Sequence, residues 1–282
     1  MASRVGSKVR TQVTRYEAGK VRRRRDVLAT EEPLEIRLVA GKETTTVAVT
    51  MRTPGHDFHL AAGFLHGEGI LTERALVHSI TYCVDPEVDA DQRYNIVNVT
   101  LRQDHLPDLT TLERHFYTTS ACGVCGKASL EAIEMRDCAP LPPGPQVTPA
   151  VLESLPARLH AAQTLFGETG GLHAAALFTA DGALLCLRED VGRHNAVDKV
   201  VGWALLNGKL PLHKTILLVS GRASYEILQK ATVAGVPIVA AISAPSNLAV
   251  DVARRFQVTL IGFLRERRFN VYAGEERVEI ED

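Results

Sequence analysis

The segment TILLVSGRASYEILQKATVAGVPIVAAIS, Thr215 to Ser243, decides the fold. Its two ends, TILLVS and PIVAAIS, are nearly continuous apolar runs, which is typical of parallel strands buried on both faces. A helix is predicted between them, from about Ala223 to Ala234. A strand, a helix and a second strand in this order predict an α/β sheet that is covered by helices on both faces.

The same alternation extends through the second half of the chain. Thr148 followed by Pro149 is typical of a helix start, and this helix is predicted to run to about Phe166. An Asp181-Gly182 turn predicts a hairpin within LHAAALFTADGALLCLRE. The remaining predicted elements are a helix from about His194 to Leu206, a helix from about Asn247 to Phe256, and a strand in VTLIGFL.

The proline-rich stretch CAPLPPGPQVTP, Cys138 to Pro149, excludes both a helix and a central strand and indicates a boundary. The first half contains a predicted hairpin turning at Gly41, a helix in HDFHLAAGFLHGEGI and a strand in YNIVNVTLR. The chain as a whole is therefore α+β, with a smaller mixed amino-terminal domain before the α/β domain. The predicted division is a basic arm at 1–30, the mixed domain at 31–138, a linker at 139–148 and the α/β domain at 149–282.

The composition predicts a self-supporting globular protein. Of the 282 residues, 45% are hydrophobic and 23% are charged, and the net charge is -1, so no nucleic-acid partner is predicted. The run Arg22 to Arg25 has two interpretations, a solvated and partly disordered arm or a docking surface for an acidic partner. The chain has no apolar run that could span a bilayer and no secretory h-region, so a cytoplasmic protein without a membrane partner is predicted.

Three strand-to-helix junctions in the second half are polar and contain glycine or serine. They are REDVGRHNAVDK at 188–199, SGRAS at 220–224 and SAPSN at 243–247. Loops at the carboxyl ends of parallel strands line the ligand crevice of an open α/β sheet, and helix amino termini suit anions. A polar, anionic and phosphorylated ligand is therefore predicted. The candidate binding side chains in these loops are Arg193, His194, Ser220, Arg222 and Ser243.

Simpler interpretations of these loops stay open. Each loop could be an ordinary cap or turn. The spacing of Asp190, His194 and Asp198 suits a catalytic or metal-binding cluster on one helix face. It suits equally well a set of caps and surface ion pairs with Arg193 and Lys199.

The segment YTTSACGVCGK, Tyr117 to Lys127, contains Cys122 and Cys125 in a C-x-x-C spacing. Cys83 and Cys186 lie in predicted strands and are expected to be small buried apolar residues. A structural zinc site would need two further ligands, and no second pair at metal-binding spacing supplies them. A thioredoxin-like site is disfavoured because glycines flank the motif in a loop.

A zinc deaminase is the most concrete metal-dependent alternative. Such enzymes combine an H-x-E motif with P-C-x-x-C, and His66-Gly67-Glu68 provides the first of these. However, Ala121 occupies the proline position, and more than fifty residues separate His66 from Cys122. What remains is nucleophilic sulfur chemistry, in which a thiolate takes up a sulfur atom as a persulfide and passes it on.

Several motifs together resemble one family. They are MRTPGHDFHLAAGFLHGEGI at 51–70, SACGVCGK at 120–127, TGGLHAAAL at 169–177, REDVGRHNAVDKVVG at 188–202, SGRASYEI at 220–227 and TLIGFLRERRFNVY at 259–272. The set, in this order, resembles the FdhD family, the formate dehydrogenase accessory sulfurtransferases, over roughly residues 30 to 275. His56 and His59 stand where acidic residues are common in that family.

The resemblance implies a function. Members take sulfur from a cysteine desulfurase as a persulfide. They deliver it to the molybdenum cofactor, bis(molybdopterin guanine dinucleotide), before this cofactor enters formate dehydrogenase. By resemblance, Cys122 is the persulfide carrier and Cys125 the accessory cysteine.

The resemblance also implies a fold and a binding segment. The fold is cytidine-deaminase-like in its α/β half, without zinc, and the proteins are homodimers. The guanine dinucleotide site corresponds to FLRERR, which comprises Phe263, Leu264, Arg265, Glu266, Arg267 and Arg268. The alternative function is a chaperone that binds the molybdenum cofactor or a guanine nucleotide without any covalent step.

Overall fold

The computed structural model describes residues 6–90, 92–109 and 139–280. The first half contains strands β1 (Lys8–Glu17), β2 (Lys20–Ala29), β3 (Glu32–Ala40) and β4 (Glu43–Arg52), helix α1 (Asp57–Gly67), and strands β5 (Val77–Tyr82) and β6 (Ile96–Leu101). The second half contains α2 (Pro149–Ala162), α3 (Leu165–Thr169), β7 (His173–Thr179), β8 (Leu184–Asp190), α4 (Arg193–Leu206), β9 (Thr215–Val219), α5 (Tyr225–Val233), β10 (Ile238–Ala241), α6 (Asn247–Arg255), β11 (Thr259–Arg265) and β12 (Arg268–Ala273). Single 3-10 turns lie at Arg74–Leu76, Arg93–Asn95 and Glu275–Arg277.

The predicted βαβ unit and the α/β class are confirmed. β9 and β10 pair in parallel, and every residue of both strands is buried. β11 extends the parallel set on the far side of β10. The complete sheet has the order β12-β11-β10-β9-β7-β8, in which β7, β8 and β12 run antiparallel to their neighbours.

Helices cover both faces of this sheet, as predicted. Alternate residues of each strand point to opposite faces, so the buried strands supply two separate apolar layers. One layer packs against α4, α5 and α6, and the other packs against Leu152, Leu155 and Leu159 of α2. Thr148 accepts a hydrogen bond from the Val151 amide and thereby caps α2, as its position before Pro149 predicts.

A second sheet of four strands, in the order β4-β3-β6-β5, forms the core of the amino-terminal half. The β3–β4 hairpin turns at Gly41, whose φ of 56° lies in the left-handed region that glycine adopts easily. Helix α1 packs Leu60, Ala61 and Leu65 against this sheet, and Leu205 of α4 joins the same apolar cluster. The two halves of the chain therefore meet along α1 and α4.

The prediction of a partly disordered basic arm is wrong for residues 8–29. This segment forms a hairpin in which β1 and β2 pair at ten positions, from Lys8↔Ala29 to Glu17↔Lys20. Ala18 and Gly19 both have positive φ at the turn, which matches the twist of the flanking strands. Successive arginines in β2 lie on alternating, exposed faces, so the charge run does not oppose strand pairing.

Two local predictions also need correction. The helix that starts at Pro149 ends at Ala162 rather than near Phe166, because Gln163 is extended and a separate short helix, α3, follows. The strand predicted in VTLIGFL runs on to Arg265, and a further strand that was not predicted, β12, begins at Arg268 and pairs with β11. Residues 139–146 contain no helix or strand, as their prolines predict, and Leu141 among them packs into the α/β core. The domain boundaries stay a prediction.

In the part of the chain that the structure describes, no helix is both long enough and apolar enough to cross a bilayer.

Candidate functional site

The sheet brings the predicted binding loops to one edge. Because β7 runs antiparallel to β9, the start of β7 lies beside the carboxyl end of β9, and Ser220 Oγ accepts from the Ala174 amide at 2.9 Å. The Ile242 amide donates to the Val219 carbonyl, and the Phe263 amide donates to the Ser243 carbonyl. Backbone hydrogen bonds thus connect the end of β9, the residues that follow β10 and the last part of β11 along one rim.

A cavity of about 650 Å³ opens at this rim, between α2 and the β11–β12 turn. We call it the arginine cavity. Its lining residues are Pro156, Ala157, His160 and Ala161 of α2, Ile242, and Leu264, Arg265, Glu266, Arg267 and Arg268 of the turn. Arg265 donates to the carbonyl oxygens of Ile242 and Leu264, which ties the turn to β10. Arg267 and Arg268 are exposed, and neither forms an ion pair within the described ranges.

A second cavity, of about 500 Å³, adjoins the first and shares Pro156, His160 and Ile242 with it. We call it the serine cavity because Ser220 lines it. Its other lining residues are Leu159, Gln163, Phe166, Gly170, Gly171, Leu172 and His173. The two cavities together form one groove along α2, with polar or charged side chains at both ends.

Arg193 lies directly behind the serine cavity. A Cβ atom placed on Gly221 would lie 3.4 Å from His173 Nδ1 and 3.8 Å from Arg193 Cβ, so these three residues are neighbours. The Nε atom of Arg193 is buried and has no hydrogen-bond partner among the described residues. Burial lowers the pKa of His173, and the positive charge of Arg193 lowers it further. The positive charge of Arg193 therefore lies close to this end of the groove, which suits a phosphate or another anion.

His194 faces away from the groove. Its Nδ1 lies 2.7 Å from Glu226 Oε2, and its Nε2 lies 3.1 Å from Ser224 Oγ. The bond from His194 lowers the pKa of the Glu226 carboxyl. Both ring nitrogens are thus engaged with α5 and the residue before it. A direct contact between His194 and a ligand stays a prediction.

Three other predicted binding residues, Arg222, Ser243 and Phe263, do not line the groove. Arg222 and Phe263 are exposed, and neither lines the two cavities. Ser243 contributes its backbone carbonyl to the rim. The structure therefore brings Ser220 and the turn residues Leu264 to Arg268 to the groove, places Arg193 behind it, and leaves the remaining candidates at its margin.

The structure does not assemble Asp190, His194 and Asp198 into one cluster. Asp190 lies 2.6 Å from Lys199 Nζ, and Asp198 lies 2.7 Å from Lys230 Nζ. Both carboxylates are buried. Ion pairing is thus the correct interpretation for Asp190 and Lys199, although this pair is buried, whereas Asp198 pairs with Lys230 and not with a predicted partner. Over residues 6–90, 92–109 and 139–280, no group of three His, Cys, Asp or Glu side chains is arranged to hold a metal ion.

The structure describes some of the residues named for sulfur or deaminase chemistry and not others. Cys83 and Cys186 are buried, as predicted, and burial raises the pKa of Cys186 to about 11, so its thiol stays protonated. His66 Nδ1 lies 2.6 Å from the Leu71 carbonyl oxygen at the end of α1. Cys122 and Cys125 lie outside the described residues, and their roles stay predictions.

Sequence reasoning missed one wall of the groove. Helix α2 was predicted, but nothing in its periodicity indicates that Ala157, His160 and Ala161 face a cavity. His173 was part of the motif TGGLHAAAL without an assigned role. The available signal was that motif itself, because two glycines and a histidine at a strand start are typical of a backbone approached closely by a ligand.

Comparisons with known proteins confirm the family resemblance of the sequence motifs. The model of the FdhD/NarQ family matches residues 29–279. A sulfur carrier protein FdhD from Streptomyces coelicolor is 56% identical over 274 residues, which cover 96% of this chain and 95% of the relative. The sulfur carrier protein FdhD from Mycobacterium tuberculosis is 48% identical over 271 residues, covering 95% and 97%.

A similar crystal structure is that of a candidate formate dehydrogenase accessory protein from Desulfotalea psychrophila. It has a TM-score of 0.73 and 25% sequence identity, and the match covers 96% of this chain and 99% of that one. The fold described above is therefore shared across nearly the full length of both chains.

Proposed function

This chain belongs to the FdhD/NarQ family, and from that premise we propose that it is a sulfur carrier required for formate dehydrogenase activity. The observation that carries the proposal is the identity of 56% with a sulfur carrier protein over nearly the whole of both chains. In this proposal, sulfur is held as a persulfide on Cys122. The recipient is the molybdenum cofactor, bis(molybdopterin guanine dinucleotide), which is a client and not a resident cofactor.

The first chemical step is thiol–persulfide exchange. The Cys122 thiolate attacks the outer sulfur of a persulfide on a cysteine desulfurase, a new S–S bond forms, and the donor cysteine leaves as a thiolate. No external oxidant is consumed, because one S–S bond replaces another. Cys125 resolves the persulfide in this proposal: its thiolate attacks the inner sulfur, HS⁻ leaves, and a Cys122–Cys125 disulfide remains. A cellular thiol reductant then restores the two thiols.

The described residues favour this C-x-x-C pair over Cys83 and Cys186. Cys83 and Cys186 are both buried, and the pKa of Cys186 is raised well above the physiological range. A protonated, buried thiol is a poor nucleophile because the thiolate is the reacting species. Neither residue is therefore a suitable sulfur carrier.

The groove along α2 is the proposed binding site for the cofactor. The client carries a guanine and a diphosphate in each dinucleotide arm. The groove offers Arg267 and Arg268 at one end and Ser220 at the other, where Arg193 lies close to the lining residue His173. The buried Arg193 Nε atom without a partner fits an anionic group, because an unsatisfied buried donor is costly. When bound, the cofactor supplies the metal that receives the sulfur. The protein binds and orients the cofactor, and α2 shields the bound cofactor from solvent.

The family context supplies the proposed partners and location. The donor is a cysteine desulfurase, the recipient enzyme is formate dehydrogenase, the protein is a homodimer, and it acts in the cytoplasm. A chaperone that binds the same client without a covalent step is the alternative, and it predicts that Cys122→Ala retains function.

The groove can be tested with GDP, which carries the guanine and the diphosphate of the client. We expect GDP to bind, and the double variant Arg267→Gln/Arg268→Gln to bind roughly 10- to 100-fold more weakly, because charge-assisted contacts to phosphate are lost. Ala157→Trp should also block binding, since Ala157 is an exposed residue on the α2 wall. Isothermal titration calorimetry provides the dissociation constants.

Arg102→Gln is the matched control, because Arg102 is an exposed arginine that lines neither cavity. It should bind GDP like the unmodified protein. If Arg267→Gln/Arg268→Gln and Ala157→Trp both leave GDP binding unchanged, the client does not bind in this groove.

A further inference from the structure

A third cavity, of about 380 Å³, lies on the other side of the segment 162–166 from the serine cavity. Gln163 and Phe166 line the serine cavity, whereas Ala162, Thr164 and Leu165 line this one. The segment is held in place by Glu189, whose two carboxylate oxygens accept from the Leu165 and Phe166 amides at 3.1 and 2.8 Å. We call the third cavity the Arg188 cavity.

Arg188 is the distinctive charged group of this cavity. Its guanidinium donates to the Leu187 carbonyl at 2.7 Å and lies 3.4 Å from His59 Nδ1. No carboxylate of the described residues pairs with it. The other charged groups in the lining are already compensated, since Lys199 pairs with Asp190 at 2.6 Å and Glu189 is bonded to two backbone amides. A half-buried guanidinium that faces a cavity and pairs with no carboxylate of the described residues is an incomplete ion pair.

Two imidazoles lie beside Arg188 and do not neutralise it. His56 lines the cavity and stacks on His59, with ring centroids 5.3 Å apart and planes 5° apart. Burial lowers the pKa of His59 to about 4, and the neighbouring Arg188, His56 and Lys199 act in the same direction. His59 is therefore neutral at pH 7 and accepts from Arg188.

Half of the lining residues are apolar or glycine, and Ser7 and Thr164 add two hydroxyl groups. Ala162, Leu165, Leu184 and Leu187 line the cavity, together with Pro54 and Gly55. Leu184 is 40% exposed, an unusual degree for leucine in a strand. A cavity with one uncompensated guanidinium and an aliphatic wall matches an amphipathic ligand better than a fully polar ion.

We propose that the Arg188 cavity binds a small carboxylate with a short aliphatic body. The carboxylate completes the ion pair of Arg188, and the aliphatic part packs on Leu165, Leu184 and Leu187. This site differs from the groove along α2, with which it shares no lining residue. The proposal stands independently of the sulfur-carrier function, because it concerns binding of a different ligand at different residues.

Binding can be measured on the full chain by isothermal titration calorimetry with butyrate, acetate and inorganic phosphate as probes. We expect saturable binding of butyrate, weaker binding of acetate and no competition by phosphate. Arg188→Gln should weaken butyrate binding at least about tenfold, because a charge-assisted bond is lost. Leu184→Glu should do the same by placing a carboxylate at the aliphatic wall, and it alters a partly exposed position that the fold tolerates.

Arg102→Gln serves as the matched control and should bind butyrate like the unmodified protein. The proposal is overturned if butyrate does not bind at millimolar concentration, or if it binds equally to Arg188→Gln and Leu184→Glu. Phosphate binding at this site with equal or higher affinity would contradict the carboxylate class.

Discussion

Gly202→Ala is expected to cost more than about 3 kcal/mol of the free energy of unfolding, at the upper end of what overpacking causes. A Cβ atom at position 202 would lie 1.8 Å from the His59 carbonyl oxygen and 2.7 Å from the Gly63 amide nitrogen. These are backbone atoms of α1, so no side-chain rotation relieves the clash. The helices α1 and α4 would have to separate, and the contact between the two halves of the chain would open. Urea unfolding followed by circular dichroism measures the loss.

Gly63→Ala should behave in the same way, because its Cβ atom would lie 1.8 Å from the Asp198 carbonyl oxygen. Gly167→Ala is the matched control, since no atom lies within 4 Å of a Cβ atom there. Alanine in the short helix α3 should leave stability unchanged or raise it by up to about 1 kcal/mol. Similar stabilities for all three variants would show that α1 and α4 do not approach as closely as described.

Asp190→Ala is the second substitution with a large expected effect, a loss of about 3 to 5 kcal/mol. Asp190 is fully buried and accepts from the Thr53 amide at 3.2 Å, the Gly192 amide at 2.8 Å and Asn195 Nδ2 at 3.1 Å. It also pairs with Lys199, which is itself only 1% exposed. Removing the carboxylate leaves a buried ammonium without its counter-charge and several donors without an acceptor. Chemical denaturation at pH 7 provides the comparison.

Two further variants show how much of the lost stability comes from the broken ion pair and how much from any substitution of a charged residue. Asp190→Ala/Lys199→Met removes both charges and should cost less than the sum of the single substitutions. Glu17→Gln breaks the exposed Arg15–Glu17 pair and should cost at most about 0.5 kcal/mol. If Asp190→Ala costs no more than Glu17→Gln, the Asp190 network does not hold the two halves together.

The α/β half was predictable because its signals are local. Buried parallel strands need continuous apolar runs, and Thr215 to Ser243 contains two of them around an amphipathic helix. Thr148 before Pro149 and Asp181 before Gly182 have the chemistry of a cap and of a turn. Such signals depend on a few neighbouring residues, so no tertiary information is needed to use them.

The features that were missed depend on contacts between distant segments. The sequence around Asp190 and Lys199 suits caps and surface ion pairs, whereas in the structure Thr53 from the other half bonds to both residues and the site is buried. The strand β2 was not predicted because, in sequence, a run of arginines on an exposed hairpin looks the same as a solvated arm. The wall formed by α2 and the Arg188 cavity arise from packing across more than a hundred residues, which no periodicity encodes.

The central claim is tested most directly by intact mass spectrometry after incubation with a cysteine desulfurase and cysteine. The account predicts an added mass of about 32 Da per bound sulfur atom, removed by a thiol reductant, in the unmodified chain and in Cys125→Ala. It predicts no such addition in Cys122→Ala, while Cys186→Ala should behave like the unmodified chain. A sulfur adduct that persists in Cys122→Ala, or none in the unmodified chain, would contradict the assignment of Cys122 as the sulfur carrier.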